Sequence, residues 1–177
     1  PPGSGKTYTG ARMSCAMVRA GRRVGVMASN HKVIVNLLNK VVEQAQDEKL
    51  ALRCGHRDSN SEGAPGDIIE YGDNPGAVHA IASGEVQVLG GTQYFWAREE
   101  LVDAVDVLVV DEAAQMAMPN VIAASGAANS LVLLGDPQQL DQPQKGSHPD
   151  GTDASALAHI LDGRKVIPDD RGIFLAR

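Results

Sequence analysis

Aromatic residues are scarce in this chain. Phe, Trp and Tyr make up 3% of it, with a single Trp. A protein that grips nucleic acid by stacking several bases needs more rings than this. Basic residues are also in deficit: 16 Lys and Arg stand against 22 Asp and Glu, for a net charge of −6. That argues against a free-standing electrostatic binder of phosphate backbones, but leaves room for a domain that touches a strand through a few polar groups. The two cysteines, Cys15 and Cys54, form no disulfide framework and suit a reducing cytosol. No run of about 18 apolar residues occurs, so neither a transmembrane span nor a membrane partner is expected. No secretory leader is visible. What remains is one domain's worth of chain, 177 residues with 43% hydrophobic content and a core of ordinary size.

The first residues carry the strongest signal. PPGSGKT, Pro1 to Thr7, matches the phosphate-loop pattern G-x-x-x-x-G-K-[ST] except for its leading glycine, which would fall one position before Pro1. Successive backbone N–H groups of the loop, freed by Gly3 and Gly5, can wrap a phosphate chain. Lys6 supplies a point charge to the outer phosphates, and the Thr7 hydroxyl can ligate Mg²⁺. The motif implies a nucleoside triphosphate with Mg²⁺. The strand that feeds such a loop would precede Pro1, so the chain reads as truncated there. That strand would be central, and its loss is expected to leave unpaired edges inside the sheet, a solubility hazard.

Further along, apolar strand-like runs alternate with helical stretches. Tyr8 to Ala20 reads as a helix stopped by Gly21, and Val24 to Ala28 as a buried parallel strand. Ser29-Asn30 can cap a helix from Lys32 to about Gln46 that carries Val33, Leu37, Leu38, Val41 and Val42 on one face. Residues 55–76, rich in Gly, Pro, Ser, Asn and Asp, read as a surface insertion holding one short strand, Ile68 to Tyr71. A short helix, Ala77 to Ser83, follows. Val86 to Leu89, Val105 to Val110 and Leu131 to Leu134 read as further strands, with a helix over Asn120 to Ala128. The pattern predicts an α/β fold, a parallel sheet with helices on both faces. In such sheets ligands bind beyond the carboxyl ends of the strands. Ser29-Asn30, Gly91-Thr92, Asp111-Glu112 and Gly135-Asp136 each follow a strand, and should converge on one edge beside the phosphate loop.

Two of these clusters suit chemistry at a triphosphate. In VLVVDEAAQ, Val107 to Gln115, an apolar strand thrusts out Asp111, which can hold Mg²⁺ through its water shell, and Glu112, which can accept a proton from an attacking water. Against this stands the plainer reading that an Asp-Glu pair caps the next helix. In LVLLGDPQQLDQ, Leu131 to Gln142, a strand ends in Gly-Asp followed by amides able to hydrogen-bond a terminal phosphate, or simply in an Asp-Pro turn.

PPGSGKT, DEAAQ and GDPQQLDQ, in this order, resemble the superfamily 1 helicases, in particular the N-terminal RecA-like domain of the group whose motif II reads DEAQ or DEAAQ. The likeness spans nearly the whole chain. GDPQQLDQPQKGSHPDG, continuing to DRGIFL, resembles bacterial proteins that join a RecB-like nuclease to such a helicase, although nothing of a nuclease lies within residues 1–177. The resemblance implies a three-layer P-loop NTPase fold of the RecA-like kind, truncated at both ends. It implies ATP and Mg as ligands, with Pro2, Gly3, Ser4, Gly5, Lys6 and Thr7 on the phosphates, and Thr7 and Asp111 on the metal. Glu112 would be the catalytic base, Gln139 the γ-phosphate sensor with Asp136 nearby, and Gln115 part of the link between sites. MASNHKV, Met27 to Val33, resembles motif Ia and Gly90-Gly91-Thr92 motif Ic, so Ser29, Asn30 and Thr92 would touch a nucleic-acid strand. The implied partners are single-stranded DNA, or RNA, and a second RecA-like domain that supplies arginines. Without those arginines, residues 1–177 alone are expected to be nearly inactive.

Rival readings are a phosphate-loop ATPase or kinase that moves no strand, and a non-catalytic nucleotide switch, against which Glu112 argues. Cys54 and His56 as a metal pair, and His148, Asp150 and Asp153, read more simply as loop residues. Phe95-Trp96 reads as packing rather than a base platform. Arg19, Arg22 and Arg23 read as charges at a helix C-terminus.

Overall fold

Val24–Ala28 forms β1, and all five of its residues are buried. A strand with no polar side must be paired on both edges and covered on both faces, and the chain supplies all four. The computed structural model describes residues 5–59, 66–136, 155–164, 167–168 and 172–173. Within them β2 (Cys54–Arg57), β3 (Ile68–Tyr71), β4 (Val88–Thr92), β5 (Val105–Val110) and β6 (Ala128–Leu133) join β1 in one six-stranded sheet of order β3-β2-β4-β1-β5-β6. Every pairing between them is parallel. β1 lies between β4 and β5, with Val24 opposite both Val88 and Val107.

Alternation along the strands separates two apolar layers. Val24, Val26, Ala28, Val88 and Val109 face α1 (Lys6–Arg19) and α2 (His31–Asp47), where they meet Ala11, Cys15, Ile34, Leu37, Leu38 and Val41. Met27, Leu89, Leu108 and Val110 face the other way. They pack with Ile81 of α3 (Asn74–Ser83), Trp96 of α4 (Gln93–Trp96), Val121 of α5 (Met118–Ser125) and Leu157 of α6 (Ala156–Leu161). The expected three-layer α/β architecture is therefore present.

Local chemistry fixes the helix starts. Asn30 Oδ1 accepts from Val33 N at 3.0 Å, Asp73 Oδ1 from Gly76 N at 2.7 Å, and Ser155 Oγ from Ala158 N at 3.1 Å. Each satisfies a backbone donor that the first helical turn leaves unpaired. Phe95 and Trp96 are core residues, 5% and 1% exposed. Trp96 Nε1 donates to the Val26 carbonyl at 3.0 Å, and its ring lies over Gly25. The basic group closes ion pairs at the far end of the strands. Arg19 bonds Glu48, Arg22 Nη1 lies 3.6 Å from Asp106 Oδ1, and Arg23 Nε lies 3.8 Å from Asp106 Oδ2.

The described strands form one uninterrupted sheet bordered by β6 and β3. One expectation needs correction: the start of 55–76 is not a surface insertion. Cys54–Arg57 is a sheet strand paired with both β3 and β4, and its first three residues are buried. The sequence CGHR lacks the β-branched residues that mark strands. It is held instead by close packing at Gly55, where a Cβ would lie 2.8 Å from the Tyr71 ring and 3.1 Å from Leu89. The remainder of that segment reaches Ile68–Tyr71 as expected, with residues 60–65 outside the described ones.

Gly25 provides a direct test of the packing. A Cβ there would sit 2.8 Å from Leu108 Cδ1 and 2.9 Å from two Trp96 ring atoms. Gly25→Ala is expected to destabilise the protein by about 1–3 kcal/mol, the usual range for overpacking. Urea unfolding of the intact protein measures it, and an unchanged midpoint would contradict this packing.

Candidate functional site

Parallel pairing brings the carboxyl ends of the strands to one edge, and the ladder fixes which ends are neighbours. Ala28 pairs with Thr92, so Ser29 follows β1 directly beside the end of β4. Asp111 N donates to the Met27 carbonyl at 2.8 Å, setting Asp111 on the other side of β1. Leu134 N donates to the Val110 carbonyl at 2.8 Å, and Asp136 lies just beyond. Along the edge the order is Thr92, Ser29, Asp111, Asp136.

Lys6 enters from α1. Gly5 caps that helix in the left-handed conformation, φ 75°, which a residue with a Cβ adopts only under strain. Thr9 N donates back to the Gly5 carbonyl at 2.8 Å, so the helix begins at Lys6. Such an end attracts anions. Lys6 Nζ lies 4.0 Å from Asp136 Oδ2, and both side chains are mostly buried. Thr7, on the first turn, is half-buried.

Asp111 is 4% exposed. Its Oδ1 accepts from Glu112 N at 2.8 Å. Burial pushes its carboxyl above the usual aspartate range; the Glu112 N–H bond pulls it down, Glu112's charge raises it and Lys6's charge lowers it. A buried carboxylate held against its own desolvation is a group for which a divalent cation is a natural partner. Glu112 itself is left-handed, φ 53° and ψ 40°, a conformation that non-glycine residues rarely adopt and that concentrates at functional sites. The turn swings its side chain off the strand direction into a half-exposed position.

Close packing holds this turn. Ala113 N donates to the Leu134 carbonyl at 2.8 Å, and a Cβ on Gly135 would come within 3.0 Å of Ala114 N and 2.7 Å of Leu157 Cδ2. The glycine ahead of Asp136 thus lets the strand end of β6 lie against the Asp111-Glu112 turn. The small residues of DEAAQ have the same use, since Ala113 and Ala114 are buried there.

The remaining polar candidates are laid out at the β1 and β4 ends. Asn30 Oδ1 is taken by the helix cap, and Asn30 Nδ2 approaches Ser29 Oγ at 3.5 Å. Thr92 precedes α4 and its side chain makes no capping bond. Two residues on, Tyr94 is 78% exposed, an aromatic at this edge that attention to Phe95-Trp96 passes over. Pro2, Gly3, Ser4 and Gln139 lie outside the described residues. Lys6, Asp111 and Glu112 therefore lie at the β5 and β6 ends, with Thr7 next to Lys6 on α1, and Ser29, Asn30 and Thr92 are one or two strands away.

Among the described residues no helix is long and apolar enough to cross a membrane. No curated protein matches the chain. A protein-family model described as AAA domain matches residues 1–160, and the chain belongs to that family as a phosphate-loop NTPase domain.

Proposed function

We propose that the chain is the first motor domain of an ATP-dependent superfamily 1 helicase or translocase acting on single-stranded DNA. The observation that carries the reading is adjacency. The groups suited to a triphosphate sit one strand away from uncharged polar groups suited to a nucleic-acid backbone. A change at one set has a short, stiff path to the other through β1.

In this reading the open N-terminus of α1 and Lys6 hold the outer phosphates of ATP, with Lys6 leaving Asp136 as the phosphates arrive. Thr7 and Asp111 would hold Mg²⁺, which neutralises charge on the phosphate oxygens. Glu112, turned away from the strand, accepts a proton from the attacking water. Gln139 senses the terminal phosphate. A second RecA-like domain closes over the nucleotide and contributes arginines. Ser29, Thr92 and the Asn30 amide donate to phosphate and sugar oxygens, contacts that position a strand without reading its sequence. Tyr94 offers one exposed ring for a base.

Two outcomes follow for the intact protein. Glu112→Gln keeps the shape of the turn and removes the base, so ATP binding should persist while hydrolysis falls by about 10²–10⁴-fold. Equal turnover in variant and wild type would take the role from Glu112. Ser29→Ala combined with Thr92→Ala should weaken binding of unrelated single-stranded oligonucleotides alike, with ATP affinity unchanged. The salt dependence of that binding should be shallow on this domain's account, because few Lys or Arg displace counterions. Fluorescence anisotropy beside nucleotide titration measures both. Unchanged strand binding in the double variant would favour an ATPase that moves no strand.

A further inference from the structure

We infer that His31, His56 and Asp58 form a binding site for one Zn²⁺ ion, separate from the nucleotide groups. Their donor atoms all lie within 4.8 Å of one another. His31 Nδ1 is 3.0 Å from His56 Nε2 and 3.5 Å from Asp58 Oδ2. Two nitrogens on a tetrahedral zinc, at about 2.0–2.1 Å each, stand about 3.3 Å apart. The imidazoles need only a few tenths of an ångström to admit the ion.

The buried histidine is already oriented for this task. His56 is 1% exposed, and its Nδ1 lies 2.9 Å from Glu70 Oε1 on the neighbouring strand β3. With the Nδ1 proton donated to Glu70, the Nε2 lone pair points at the site. A carboxylate behind a ligating histidine is the usual outer support of such metals, fixing the tautomer and raising the ligand's basicity. Among the described residues Glu70 Oε2 is buried with no hydrogen-bond partner, an unmet acceptor beside the site.

Charge and rigidity fit as well. Asp58 and Glu70 together balance a dication, offsetting the unfavourable placement of positive charge at the start of α2, where His31 is the first residue. Two imidazoles and a carboxylate select zinc and its transition-metal neighbours over Mg²⁺ or Ca²⁺, which prefer oxygen alone. His31 and Asp58 side chains are 43% and 18% exposed, so the ion has an entry path and a position for water. Bound there, it clasps the first turn of α2 to the end of β2.

The test is zinc titration of chelator-stripped intact protein, without nucleotide, against a chromogenic competitor. One tightly held ion per chain is expected. His31→Ala and Asp58→Ala, both at partly exposed positions, should abolish stoichiometric binding with circular dichroism unchanged. Glu70→Gln should weaken binding by about 10–100-fold as the outer support is lost. Cobalt substitution should give visible bands of a nitrogen- and oxygen-ligated ion with no thiolate charge-transfer band. Absence of binding, equal binding in wild type and both ligand variants, or a thiolate band that assigns the metal to Cys15 or Cys54 would each overturn the site.

Discussion

The position of β1 governs the rest of the structure. Val24–Ala28 is buried throughout and hydrogen-bonded to a parallel neighbour on each side. Parallel strands stand about 4.8 Å apart. The pairing of Ala28 with Thr92, and the bond from Asp111 N to the Met27 carbonyl, therefore set the spacing of Ser29, Thr92 and Asp111 to within a strand or two. Slippage of β1 by one residue would turn Val24, Val26 and Ala28 away from α1 and α2 and scatter the polar edge as well. Burial of the core and assembly of the site are the same event.

The site departs from what stability alone would select. Asp111 is a carboxylate whose burial disfavours its charge, Glu112 occupies a left-handed conformation, and Gly135 gives up a side chain so that two backbones can meet. Each is unfavourable in isolation, and all three fall within one turn at the ends of β5 and β6. A left-handed residue, a buried carboxylate and a close backbone approach occurring together, supported by buried Ala113, Ala114 and Leu157, is the pattern expected of preorganised chemistry.

Much of this was legible in the residues. Val24–Ala28 emerges with the boundaries its apolar run predicts, because a strand buried on both faces leaves no polar residue to blur its ends; Val105–Val110 does so too, although Asp106 interrupts its apolar run. Asn30 caps α2 as its side chain and position indicate. The convergence of the strand-end clusters follows from parallel topology alone. What stayed hidden depends on partners distant in sequence. Cys54–Arg57 looks like loop until Leu89 and Tyr71 close over Gly55, and His56 looks isolated until His31, 25 positions away, lies against it. The left-handed turn at Glu112 has no local signature, since it is imposed by the packing of Ala113 and Gly135.

The central claim is that nucleotide chemistry and a nucleic-acid strand share one edge of the sheet. It is tested most directly by measuring ATP hydrolysis of the intact protein as single-stranded DNA is titrated in. The account predicts that turnover rises with added strand to a plateau, and to the same plateau for oligonucleotides of unrelated sequence. A rate indifferent to saturating strand, with ATP hydrolysed all the same, would contradict it.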